Sequence, residues 1–307
     1  MAPDIGVGEP IGSTYVVSRK IGAGAFADVY HVHHRFLGEQ AMKIFKTSRE
    51  ITGQTPVGEE PIGMNPASNL KEARQLVDLS HPRIVRVYDA NIFERAGELL
   101  GYMTMEYAPG GTLDVAIARR TRLTLPESIR IGRNIAEALA YTHSLSPPLI
   151  HRDIKPSNIL VTSIGSEIQV KVADFGLASA LDSESRLCES AGTLAFSPPE
   201  TAWGVADERT DVYSLGVTLY KLLTGIHPFP VPRLQEVRLS RKFSEALGTG
   251  RRSIRPPSQI LLEKIPELDQ LVMKALSPDI FDRHRNAQEF LDEIRIIEET
   301  LTGYDGI

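Results

Sequence analysis

The chain has a single cysteine, Cys188, so neither an internal disulfide nor a cysteine-built metal cage is possible. That suits a reducing compartment, and a cytoplasmic location is the expectation. No run of about 18 apolar residues occurs, which excludes a membrane-spanning helix in this sequence. Residues 1–13 are rich in glycine and proline and lack the apolar core of a secretory signal. Basic residues are not in excess. A net charge of −5 gives no general pull toward nucleic acid or anionic membrane, and nucleic acid is not expected as a partner, though basic patches can exist locally. No internal repeat or low-complexity tract appears, which removes the solenoid and collagen-like classes. What remains is 307 residues, 42% of them hydrophobic, enough to bury the core of one large domain or of two lobes.

The densest pattern is His151-Arg152-Asp153-Ile154-Lys155-Pro156-Ser157-Asn158-Ile159-Leu160. It is too charged for core and too patterned for filler. Ile159–Val161 reads as a short buried strand and Ile168–Val172 as its hairpin partner, which ends in Asp174-Phe175-Gly176. Such a hairpin can bring Asn158 and Asp174 to one mouth. An amide oxygen and a carboxylate there are hard ligands suited to Mg²⁺, which takes few protein ligands alongside phosphate oxygens. His151–Asn158 and Asp174–Gly176 resemble the catalytic loop and metal-binding turn of protein kinases. The resemblance implies that Asp153 is the base facing a substrate hydroxyl, Lys155 a γ-phosphate contact, and Asn158 and Asp174 the Mg²⁺ ligands.

Earlier in the chain, Tyr15–Ile21 and Val29–His33 read as strands flanking Gly22-Ala23-Gly24-Ala25-Phe26-Ala27. A glycine turn can cradle phosphates with backbone N–H groups. Strand-turn-strand differs from the strand-turn-helix of a dinucleotide fingerprint and fits the kinase glycine loop, with Ala27 in the place of its third glycine. Phe26 either caps the phosphates or packs on a strand as a turn aromatic. Glu39–Phe45 is the next strand, and Lys43 inside it must find an anion or reach solvent. The resemblance implies that Lys43 holds the α/β-phosphates and pairs with Glu72, on a helix spanning Asn69–Leu79. Glu72 has a rival role in a capping box with Asn69. By the same resemblance Ile21, Gly22, Gly24, Val29, Ala41 and Leu160 line the nucleotide. Met105 is the gatekeeper, and backbone groups of Glu106 and Ala108 meet the adenine edge. Thr47–Ala67 reads as a surface insertion. Ile84–Asp89 and Leu100–Glu106, joined through Asn91–Glu98, complete five strands around one helix. Pro109-Gly110-Gly111 then reads as a linker.

Beyond Thr112 the pattern turns helical. Pro126 opens a helix with Ile131, Ile135, Ala138 and Leu139 at helical spacing, and further helical patterns lie at Gln235–Leu247, Leu268–Leu276 and Ala287–Leu301. The stretch from Ala178 to Gly192 carries Ser179, Ser183, Ser185 and Ser190. With Thr193 and Ser197-Pro198-Pro199-Glu200 it resembles a kinase activation segment. The resemblance implies that Thr193 contacts Asp153 and Lys155 and that Glu200 pairs with Arg283. Asp211 reads as the cap of an apolar helix; the family adds a role as acceptor for catalytic-loop N–H groups. Arg152 is a charge that wants an anion. The candidates are a phosphate on Ser183, Ser185, Ser190 or Thr193, or a nearby carboxylate.

The expected class is α+β: a two-lobed, protein-kinase-like fold over residues 15–307, after a flexible stretch at 1–14. The N-lobe is 15–106, the hinge 106–111 and the C-lobe 112–301. The resemblance runs from Tyr15 to Leu301 and is most like bacterial kinases of the eukaryotic type. It implies ATP and Mg²⁺ as cofactors and transfer of the γ-phosphoryl group to serine or threonine of protein substrates, with autophosphorylation in the activation segment. Lys155 and Gly192-Thr193 favour serine and threonine over tyrosine. The alternative is a pseudokinase scaffold that binds nucleotide without transfer.

Overall fold

The computed structural model describes residues 5–24, 27–47, 76–119, 123–164, 168–175, 195–229, 254–261 and 263–304. The Thr47–Ala67 insertion beyond Thr47, the Gln235–Leu247 helix and most of the Asn69–Leu79 helix lie outside these residues. The chain divides into two compact units after Pro109.

The first unit is built on one antiparallel sheet. Its strands are β1 (Pro10–Ile11), β2 (Tyr15–Ala23), β3 (Ala27–His34), β4 (Gly38–Phe45), β5 (Val87–Arg95) and β6 (Glu98–Glu106), in the order β1-β2-β3-β4-β6-β5. Alternation decides the faces. Tyr15, Val17, Tyr30, Val32, Met42, Ile44 and Tyr102 pack into one core, joined by Ile5 and Ile11. The β5–β6 connection is tighter than the expected Asn91–Glu98. Arg95 pairs with Glu98, and the turn is made by Ala96 and Gly97, both with left-handed φ.

The flexible N-terminus expected over 1–14 is corrected for its described part. Pro10 and Ile11 pair with Val16 and Tyr15, Gly8 N–H donates to the Val17 carbonyl at 2.8 Å, and Arg95 grips the Glu9 carboxylate at 2.8 and 3.2 Å. The sequence hides this because a two-residue strand has no period to read. What holds the arm is the burial of Ile5 and Ile11.

The second unit is mainly helical: α1 (Leu113–Ala118), α2 (Leu125–His143), a hairpin of β7 (Ile159–Ile164) and β8 (Ile168–Val172), then α3 (Glu208–Thr224), α4 (Ser258–Leu261), α5 (Pro266–Ala275) and α6 (Ala287–Tyr304). Helix α2 begins one residue before Pro126. Thr124 and Glu127 form a capping box there, with Thr124 N–H on Glu127 Oε2 at 2.8 Å, which satisfies donors that no helical carbonyl reaches. Helix α3 starts earlier than its apolar run suggests. Its cap is Asp207, whose Oδ1 accepts the Arg209 N–H at 2.9 Å, so Asp211 lies one turn inside the helix and is not its cap. From Thr210 to Thr224 every residue of α3 except Lys221 is buried. A helix apolar on all sides belongs in the middle of a unit, and α2, α5 and α6 surround it. Gly216 permits the closest approach: a Cβ there would stand 2.8 Å from that of Ala275.

Ile11 is 1% exposed. Ile11→Ala is expected to lower stability by about 2–4 kcal/mol through the cavity left in the sheet core, read as a fall in the thermal midpoint of the purified chain. An unchanged midpoint would mean that the arm does not pack on the sheet.

Candidate active site

The loop from His151 to Asn158 is shaped from below by one fully buried carboxylate. Asp211 Oδ1 accepts the Arg152 N–H at 2.7 Å, and Oδ2 accepts the His151 N–H at 2.8 Å and His143 Nε2–H at 3.0 Å. These bonds hold Arg152 at φ 68°, a left-handed conformation that costs a residue with a Cβ about 1 kcal/mol or more. The His151 ring is fixed as well. Its Nε2 meets the Ala173 carbonyl at 2.8 Å and its Nδ1 accepts the Asp153 N–H at 3.2 Å. A carbonyl only accepts, so the proton is on Nε2.

On this base stand the polar residues. Asp153 Oδ2 accepts from Lys155 Nζ at 2.8 Å and from Asn158 Nδ2 at 2.8 Å, and the same Nδ2 donates to the Asp153 carbonyl at 2.8 Å. Both partners of that nitrogen only accept, which fixes the amide's orientation. Asn158 Oδ1 is therefore the oxygen turned elsewhere, and no described residue donates to it.

The hairpin sets where Asp174 falls. Ile159 pairs with Val172, and the Ala173 N–H continues the ladder to the Asn158 carbonyl at 2.9 Å. Asp174 is the next residue, at φ 62°, so it leaves the hairpin at the end where Asn158 enters. An amide oxygen and a carboxylate at one mouth fit a hard, oxygen-seeking cation that completes its shell with phosphate and water. Among the described residues no cluster of three or more His, Cys, Asp and Glu side chains forms a protein-only metal cage.

Glu200 and Arg283 form a second buried constellation. The guanidinium meets the carboxylate through two bonds of 2.7 and 2.9 Å, donates from Nε to the Ser277 carbonyl at 2.7 Å, and lies 4.7 Å from the centre of the Tyr213 ring. Burial pushes the Tyr213 phenol far above its usual range, against the opposing pull of Arg283. The pair ties the residues after Pro198 to the start of α3 and to the 277–283 loop. Removing one partner from such a pair strands a buried charge, at a cost of about 3–5 kcal/mol.

In the first unit, register places the remaining candidates. Gly22 pairs with Val29, Val29 with Lys43, and Ala41 with Met105. Opposite residues share a face, as do alternate residues along a strand. Gly22, Val29, Ala41, Lys43 and Met105 thus lie on the sheet face turned away from the Tyr30–Met42–Tyr102 core. Ile21 and Gly24 flank the turn, and Ala108 is buried near the end of the unit. The Glu106 N–H is already engaged, donating to the Arg86 carbonyl at 2.9 Å. Leu160 lies in β7 of the second unit, next to Thr112 through an isolated bridge. Phe26, Glu72, Gly176, Ser179, Ser183, Ser185, Ser190 and Thr193 lie outside the described residues.

Residues 15–294 match the model of the protein kinase domain. The chain belongs to the protein kinase family. A protein of Clostridium perfringens named a probable serine/threonine-protein kinase is 31% identical over 301 residues, covering 95% of this chain and 39% of that protein. This kinase domain spans about two-fifths of the length of the first curated relatives it matches. Among solved structures, the Mycobacterium tuberculosis PknI kinase domain is 24% identical with a TM-score of 0.68, covering 96% of this chain and 100% of that one. Rad53 residues 1–466 in complex with AMP-PNP is 28% identical with a TM-score of 0.67, covering 90% and 63%. The α+β architecture, with an antiparallel sheet unit and a larger helical unit, is that of a protein kinase.

The kinase domain has one supporting residue that sequence reading passed over. His143 closes α2, donates to Asp211, and accepts the Ala287 N–H on Nδ1 at 3.3 Å. The signal was a histidine in the last turn of a helix, close to the apolar Leu139 and Ala140; a buried ring nitrogen needs partners. Asp211→Asn keeps the shape of the side chain but replaces one acceptor oxygen with a donor, facing groups that themselves donate. It is expected to lower stability by about 2–3 kcal/mol and to speed amide exchange at His151 and Arg152, while β2–β4 keep their protection. Unchanged exchange at both positions would show that the carboxylate does not hold the loop.

Proposed function

We propose that the chain is the catalytic domain of an ATP-dependent protein kinase that transfers the γ-phosphoryl group to serine or threonine hydroxyls of protein substrates. The observation that carries this reading is the Asp153–Lys155–Asn158 constellation, locked at 2.8 Å contacts beside Asp174. The names of its bacterial relatives support serine/threonine specificity, and the AMP-PNP held by Rad53 supports nucleotide binding.

Asp153 orients the attacking hydroxyl and accepts its proton. Lys155, beside it, screens the carboxylate's charge from the incoming phosphoryl group and contacts that group as charge develops. Lys43 holds the α/β-phosphates, and Glu72 orients Lys43. Val29, Ala41, Met105 and Leu160 enclose the adenine. Asn158 and Asp174 would hold Mg²⁺, whose charge offsets that of the phosphates. The amide of Asn158 is already oriented for this by its two bonds to Asp153. Little covalent work falls to the protein in phosphoryl transfer, so rate comes from positioning and electrostatics. Asp153→Asn is therefore expected to retain MgATP binding and to lower turnover by at least about 10²-fold. Near-normal turnover of the purified variant would remove the general-base assignment. MgATP binding by the unaltered chain without transfer to any protein in a lysate would favour a pseudokinase scaffold.

Regulation through the segment after Asp174 is part of the same proposal. Among the described residues nothing partners the buried Nε of Arg152, and a buried guanidinium nitrogen calls for an acceptor. A phosphate on Ser183, Ser185, Ser190 or Thr193 would supply one through charge-assisted bonds. The chain is thus expected to autophosphorylate there, with activity falling in Arg152→Ala and in a Ser183, Ser185, Ser190 triple-alanine variant. Phosphosite mapping before and after ATP treatment checks this. Full activity in both variants, with no phosphate on Thr193, would dismiss the regulatory reading and leave the catalytic one standing.

A further inference from the structure

The glycine turn between β2 and β3 is rooted by a contact that its own composition does not supply. Gly24 has both backbone groups engaged. Its N–H donates to the Ala27 carbonyl at 2.8 Å, and its carbonyl accepts from Lys46 Nζ at 2.6 Å. Lys46 follows directly on β4. The same ammonium stands 3.3 Å from Asp28 Oδ1, a looser ion-pair approach, while Asp28 Oδ2 accepts from Lys20 Nζ at 2.8 Å. Side chains from β2, β3 and the end of β4 therefore converge where the turn leaves the sheet. Two ammonium groups, of Lys20 and Lys46, face the one Asp28 carboxylate there. Gly24 itself is tightly fitted: a Cβ there would lie 3.1 Å from the Ala27 carbonyl oxygen.

The lysine–aspartate pairs alone would carry no proposal. Lys20, Lys46 and Asp28 are partly exposed, and such pairs contribute little to stability. The carbonyl contact is different in kind, because it fixes backbone. A peptide unit is planar and trans. Tying down the Gly24 carbonyl fixes the backbone at the end of β2, where the glycine turn begins. Backbone N–H groups of such a turn are what receive phosphate.

We propose that Lys46 is a positioning residue for the nucleotide's phosphates. It does not contact them, since its ammonium is taken by the Gly24 carbonyl and Asp28. It anchors the Gly24 end of the turn whose backbone receives them. This deepens the ATP-dependent reading above and rests on it. Lys43, within β4, is the lysine assigned to the phosphates above; Lys46, just past the strand's end, would serve the turn.

Calorimetry of MgATP and of adenosine, run on the whole chain and on Lys46→Met, Lys46→Gln and Lys46→Arg, tests the proposal. The Met and Gln variants are expected to bind MgATP about three- to tenfold more weakly, the range for losing one charge-assisted bond at a partly exposed site. Adenosine affinity and melting temperature should stay near those of the unaltered chain, and Lys46→Arg should restore most of the MgATP affinity. In the nucleotide-free protein, amide exchange at Gly24 should quicken in Lys46→Met. An unchanged ratio of MgATP to adenosine affinity in the Met and Gln variants would overturn the proposal, as would an equal weakening of both ligands, which would make Lys46 merely structural. If the unaltered chain binds MgATP no more tightly than adenosine, the ATP-dependent reading itself fails, an outcome distinct from either.

Discussion

The arrangement of the second unit depends on the buried carboxylate of Asp211. An unpaired buried charge would be costly, and this one is compensated by N–H donors from three residues, His143, His151 and Arg152. Because it must be satisfied, it dictates the backbone of the loop above it, including the left-handed turn at Arg152 that nothing in the local sequence favours. The loop in turn presents Asp153, and Asp153 orients Asn158 through the amide nitrogen. Each step transmits geometry by hydrogen bonds of defined direction. A packing contact could hold the loop close but could not choose its dihedral angles.

Placing that carboxylate on α3 is what makes it effective. The helix is buried on nearly every side and pressed against α5 at Gly216, so close packing fixes its position in the unit. The Glu200–Arg283 pair reaches the same helix from the other direction, through the Tyr213 ring and the Arg209 carbonyl at 3.4 Å. Both constellations thus use one rigid element as their reference, the arrangement that a site needing sub-ångström placement requires.

Much of this was legible in the residues. The spacing of Asp153, Lys155 and Asn158, and the two apolar strands before Asp174, follow from period-2 alternation and a polar loop, and the hairpin register then puts Asn158 and Asp174 at one mouth by arithmetic alone. The sheet of the first unit was legible for the same reason. Three things were not. The β1 arm is too short to show a period. The true start of α3 was hidden because Asp207 and Asp211 are both acids near a helix start, and only the hydrogen bonds tell a cap from a partner of a distant loop. His143 and Lys46 act through backbone groups far away in sequence, and no local pattern records a contact of that kind. The residues outside the described parts, Glu72 and Thr193 among them, rest on resemblance.

The β7–β8 hairpin has one more consequence, for the chain entropy of assembling the site. The contact between the His151 ring and Ala173 spans 22 residues, that between His151 and Asp211 60, that between Glu200 and Arg283 83, and that between His143 and Ala287 144. Loop closure grows only with the logarithm of length, so taken alone the longest of these costs about 1.7 kcal/mol more than the shortest. The groups assigned to base and metal are therefore gathered by the shortest of these four closures, and the long-range bonds that fix their angles are closed over an already short, hairpin-linked segment. The connections between residues 176 and 286 can vary in length at little entropic penalty, provided that α3 with Asp211, Glu200 and Arg283 still arrive.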